Sequence, residues 1–174
     1  MDFGGKLFRV LNGLGMFVTG ILILYAFFFT VAAGALEMLM MTFLLAGVFF
    51  QALKTNALMR HLGNPAIPLK ANTPQQVQSL AFFPIMLGLM VISSSFAMKD
   101  AASMDAMMDM FDEMNNGKMS VSEVARSLLY LQIISSAYGG LLLGNAVSSL
   151  IYLKQWKDDQ QEKDESKNPE DLDF

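Results

Sequence analysis

One hundred and seventy-four residues fit a single domain, yet 53% are apolar, only 16% are charged, and the mean hydropathy is +0.40. A soluble domain carries about 25% charge, so this chain lacks the charge to coat a surface in water. The absence of cysteine removes disulfide frameworks, thiolate metal sites and Cys nucleophiles; a single histidine removes bis-His haem and multi-His zinc; a net charge of −4 argues against nucleic acid.

A hydrocarbon core of ~30 Å takes about 20 apolar residues per helix. Four segments qualify, predicting an all-α integral membrane four-helix bundle. They are 14–33, 36–53, 80–98 and 128–153, with Glu37 at the very start of the second and no charge inside the others. Only Gly34-Ala35 separates the first two, which implies a tight antiparallel hairpin. The second span is expected to continue as a helix past Lys54 and Arg60 until Gly63, since glycine follows helix ends readily. Pro65 and Pro68 predict an extended stretch, which matches P-x-x-P with little specificity. Thr73-Pro74-Gln75-Gln76 reads as a helix start with Thr73 as N-cap and Gln76 closing a capping box. Pro84 removes a bond to the carbonyl of Leu80 and predicts a kink there.

Basic residues near span ends set orientation. Lys6, Arg9, Lys54, Arg60, Lys70, Lys154 and Lys157 fall on one side. Lys99, Lys118 and Arg126 fall on the other, among Glu37, Asp100, Asp105, Asp109, Asp112, Glu113 and Glu123. Both termini are therefore expected in the cytoplasm and the 99–127 loop outside. Tyr152 and Trp156 occupy the place of an interfacial aromatic anchor, and His61 that of an interfacial side chain. Residues 154–174 hold four lysines and eight acids, predicting a short helical extension that fades into a disordered acidic tail. A rival is a signal peptide cleaved near Ala33-Gly34-Ala35, although its apolar run exceeds the ~7–15 residues of such segments.

Between helices in lipid, close backbone approach replaces the hydrophobic effect. Ser136, Gly140, Gly144 and Ser148 recur at four-residue spacing with Gln132 one turn earlier, a small-residue groove for packing within the bundle or against a partner. Gly88 and Ser93 to Ser95, or Gly13, Gly15 and Gly20, are plausible mates. Asn145 is the deepest strong polar side chain, expected to make an interhelical hydrogen bond of ~0.6 kcal/mol. No Asp, Glu, Lys, Arg or His sits mid-span, which disfavours a proton- or ion-coupled transporter.

The 99–127 loop is predicted as a helix-turn-helix and carries two candidate metal patterns. Seven of the fifteen methionines lie between Met98 and Met119. On a helix over 101–114, Met104, Met107, Met108, Phe111 and Met114 share one face, opposite Asp105, Asp109 and Asp112. Thioethers suit Cu(I) or Ag(I), so Met104, Met107 and Met108 are candidate soft-metal ligands. Residues 111–123, FDEMNNGKMSVSE, resemble an EF-hand calcium loop. The resemblance places Asp112, Asn116, Ser120 and Glu123 as oxygen ligands and Gly117 at the turn, implying a weak calcium site. Met114 stands where an oxygen ligand is expected. The simpler account is a metal-free helix–turn–helix, in which Ser120 and Glu123 form a capping box.

No nucleophile–base pair, buried carboxylate pair or phosphate loop stands in the sequence, so no enzymatic activity and no resident cofactor are expected. The favoured expectation is an accessory or scaffold subunit of a membrane assembly, in a bacterial inner membrane, with a membrane-protein partner or a second copy of itself. The alternatives are an outward-facing metal-binding or metal-sensing protein, and a small oligomeric channel or lipophile carrier lined by Asn145 and Gln132.

Overall fold

A computed structural model describes residues 3–34, 37–97, 105, 109 and 121–167. Among these the chain is all-helical: α1 (Phe3–Ala33), α2 (Glu37–Gly63), α3 (Thr73–Leu80), α4 (Phe82–Ala97) and α5 (Val121–Lys167). Four stretches are long and apolar enough to cross a membrane: Gly4–Ala32, Met38–Gly63, Thr73–Ala97 and Ser122–Lys163. α1 ends at Gly34, whose φ of 65° is the left-handed conformation that closes a helix and that only glycine adopts without strain.

The third apolar stretch is broken for one residue at Ala81, so α3 and α4 share it. Pro84 accounts for the break, because its ring crowds the carbonyl four residues back, that of Leu80. The start of α3 differs from expectation. Asn72, not Thr73, is the N-cap; its side chain makes no capping bond, and Pro74 falls at N2. Thr73 is buried and its N–H donates to the Lys70 carbonyl at 2.9 Å, which commits it to the preceding turn. The Pro65–Pro68 stretch is likewise not extended throughout. The Asn64 side chain accepts from the Ala66 N–H at 3.2 Å, and the Ile67 N–H donates to the Asn64 carbonyl at 3.0 Å. Proline at the second position of such a turn has its φ already set. His61 ties this turn to α2 by donating from Nδ1 to the Ile67 carbonyl at 2.7 Å.

The chain divides into two compact units. The first comprises 1–84 and 144–174, the second 85–143. In the first, each helix turns inward a face with alternating three- and four-residue steps: Gly5, Phe8, Asn12, Gly15 and Thr19 on α1, and Leu45, Val48, Ala52, Thr55 and Met59 on α2. That alternation is the seam of left-handed helix packing. The inward face is smaller and more polar than the outward one: Asn12 is 1% exposed and Thr19 0%, whereas Phe17 is 67%, Leu24 71% and Phe28 69%. Water as solvent would select the reverse. Phe83 lies so close over Gly47 that a side-chain carbon there would enter its ring. Towards the chain's termini Leu58, Val77 and Leu153 form a core on which Leu62, Leu69, Tyr152 and Trp156 pack. Trp156 and Tyr152 are thus seated on protein, Tyr152 also against the Phe8 ring at 5.1 Å.

In the second unit α4 and the first half of α5 meet at two glycines. A Cβ on Gly139 would stand 3.0 Å from the Gly88 carbonyl oxygen, and one on Gly88 would stand 3.1 Å from that of Gly139. α5 continues as one helix to Lys167, so the extension past Leu153 is helical through most of its charged residues.

Candidate functional site

Three sets of residues are candidates. The first is the outer loop. Met104, Met107, Met108, Asp112, Asn116 and Ser120 lie outside the described residues. Asp105 and Asp109 are helical and exposed, and Glu123 is exposed in the first turn of α5. Among the described residues no three His, Cys, Asp or Glu side chains gather as a metal site.

The second is the small-residue stripe of α5. Its inward face is Gly139, Leu142, Ala146, Ser149 and Leu153, again in alternating steps of three and four. At about 100° per residue, Ser136, Gly140, Gly144 and Ser148 fall roughly on the opposite side. Gly140 and Gly144 are exposed, and nothing among the described residues comes within 4 Å of where their Cβ atoms would be. Ser136 and Ser148 are half-buried, as is Gln132. Asn145 is 7% exposed, beside Ala146 and on the flank of the inward face.

The third, in the first unit, comprises a buried polar layer and two cavities. Gln51 Nε2 donates to Ser149 Oγ at 2.6 Å, and that hydroxyl donates to the Ala146 carbonyl at 2.7 Å. Thr55 Oγ1 donates to the Gln51 carbonyl at 3.0 Å. Asn12 Nδ2 donates to the Ala52 carbonyl at 3.1 Å, while its Oδ1 is buried with no partner among the described residues. Asn56 Nδ2 approaches Met16 Sδ at 3.1 Å. Of the buried and half-buried polar groups within the helices, the sequence singled out Asn145, which lies outside this layer; Asn12, Thr55 and Asn56 were missed. The signal was present: Asn12, Thr19 and Ala26 recur every seven residues on α1.

One cavity of about 490 Å³ is lined by Phe50, Lys54, Gln75, Gln76, Ser79 and Leu80. The other, of about 400 Å³, lies among Arg9, Arg60, Gly63, Asn64 and Ile67. In the sequence these arginines counted only towards topology; the fold brings them to one opening. Comparison of the chain with protein-family models, with curated proteins and with solved structures finds no match in any of the three.

Proposed function

We propose that this chain is a non-enzymatic multi-pass membrane protein that serves as an accessory or scaffold subunit of a membrane assembly. Both termini then lie in the cytoplasm, and the 99–127 loop lies outside. The inverted exposure of α1 supports the membrane setting, with large apolar side chains outward and small or polar ones inward. The observation that carries the scaffold role is the strip at Gly140 and Gly144, which nothing among the described residues fills, opposite the packed face of α5. In lipid such a strip lets another helix approach closely enough for dispersion and Cα–H···O contacts to accumulate. The occupant is a transmembrane helix of a partner or of a second copy.

A photo-crosslinking residue at Gly144 should capture one defined membrane protein, or the chain itself, in stoichiometric yield. The same residue at Phe28, an outward position on α1, should capture mainly lipid. Equal, diffuse labelling from both positions would sink the proposal.

A further inference from the structure

Arg9 and Arg60 are far apart in sequence, yet the helical hairpin makes them level. Gly20 faces Phe49 across the α1–α2 seam; eleven residues back along α1 is Arg9, and eleven forward along α2 is Arg60. At 1.5 Å per residue both lie ~16 Å from that contact, beyond the charge-free core and at the depth of lipid headgroups. Arg9 and Arg60 line one cavity of about 400 Å³, within the ~300–1,000 Å³ range of small-ligand sites. Ile67 adds an apolar wall and Asn64 a polar one, and that wall is held in place by the His61–Ile67 and Asn64–Ala66 hydrogen bonds. Between residues 3 and 99 the only acid is Glu37, at the far end of α2, so the α1–α2 hairpin itself brings no carboxylate to this end. Guanidinium forks match phosphate oxygens in pairs and are more weakly hydrated than ammonium groups.

We infer that the Arg9–Arg60 cavity binds a phosphate group, supplied by the headgroup of an anionic phospholipid. The inference rests on the membrane-spanning reading of the chain. A basic pocket between helices at the cytoplasmic face is the arrangement that captures anionic headgroups, and Ile67 would meet the start of the lipid's apolar part.

The test uses the full chain in detergent micelles, with phosphatidylglycerol or phosphatidylcholine added and bound lipid counted by native mass spectrometry. Wild-type protein should retain phosphatidylglycerol preferentially. The preference should fall roughly fivefold for each arginine replaced by glutamine, the factor a basic residue contributes at an anionic surface. Lys70→Gln, outside the cavity, should leave it unchanged. Arg9→Lys with Arg60→Lys keeps the charge and guards against misfolding; it should weaken retention without abolishing it. Inorganic phosphate at constant ionic strength separates the sources. If inorganic phosphate binds the wild type but not R9Q/R60Q while neither lipid is preferred, the phosphate site stands and its ligand is soluble. Equal retention of both lipids without phosphate binding, or a preference unchanged in R9Q/R60Q, overturns the inference. Alkaline carbonate extraction of native membranes tests the underlying reading separately: release of the chain would remove the membrane setting, whereas retention without lipid preference would remove this site alone.

Discussion

Gln51 on α2 and Ser149 on α5 are ninety-eight residues apart and meet at 2.6 Å, both shielded from solvent. The serine hydroxyl faces two ways, accepting from the amide and donating to the Ala146 carbonyl of its own helix. Each donor therefore has its acceptor, and the bond fixes which turn of α5 stands beside which turn of α2.

Breaking that bond from one end and removing both ends should give unequal results. Ser149→Ala strands the Gln51 amide in an apolar interior, a loss of about 1–3 kcal/mol. Gln51→Leu with Ser149→Ala removes both partners and leaves nothing unsatisfied. The single variant should therefore be the less stable in reversible unfolding in mixed micelles, and the coupling should be about 0.6 kcal/mol, reaching ~1.7 at most. A double variant less stable than Ser149→Ala would refute the role given to the bond.

Adjacent glycines on α5 should behave oppositely. Gly139→Ala brings a methyl group to 2.7 Å from Ile92 Cγ1 and 3.0 Å from the Gly88 carbonyl oxygen, so α4 must move away. Overpacking of this kind costs about 1–3 kcal/mol. Gly140→Ala meets nothing within 4 Å among the described residues. It gains up to ~1 kcal/mol of helix propensity, so the isolated chain should be unchanged or firmer. Thermal unfolding of the two variants side by side checks the contrast. In native membranes, with the photo-crosslinking residue moved to Ser148, Gly140→Leu with Gly144→Leu should still lower capture of the partner.

That contrast also marks where sequence reasoning stopped. The four apolar stretches were legible because a charge inside lipid is expensive, and a charge-free run leaves an unmistakable trace. The inward face was not, because both sides of a membrane helix are apolar and hydrophobicity no longer separates them. Strict four-residue spacing drew attention to Ser136, Gly140, Gly144 and Ser148, yet each four-residue step turns about 40° past a full circle. Such a row winds around the helix, while the packed row of Gly139, Leu142, Ala146, Ser149 and Leu153 holds its direction by alternating threes and fours. The pairing of Arg9 with Arg60 was hidden for another reason: it depends on the hairpin register, which Gly34-Ala35 alone does not specify.

Gly47 and Phe83 should show compensation. The ring of Phe83 occupies the space a Cβ at position 47 would need, and its other side meets Phe43 edge-on at 5.5 Å. Gly47→Ala must expel the ring and forfeit that aromatic contact, itself worth about 0.5–1.5 kcal/mol. Phe83→Leu alone should also weaken the fold, yet combined with Gly47→Ala it should raise the unfolding midpoint above that of Gly47→Ala. If the two losses simply add, the ring does not sit over the glycine.

The single tryptophan supplies a direct optical test of the termini's packing. Trp156 lies past the last apolar residue of α5, where an aromatic anchor in the headgroup layer would be expected, but its ring rests on the Leu58, Val77 and Leu153 core. Its Nε1 is buried and finds no acceptor among the described residues. An indole in that setting should emit at short wavelength and resist quenching by both aqueous acrylamide and brominated lipid. A headgroup anchor would be quenched by the lipid. Leu58→Ala opens a cavity beneath the ring and should lower stability by about 2–5 kcal/mol, the range for truncating a buried leucine. It should also shift the emission to the red before global unfolding begins. Strong quenching by brominated lipid in the wild type would place the indole in the bilayer and detach the charged extension of α5 from this core.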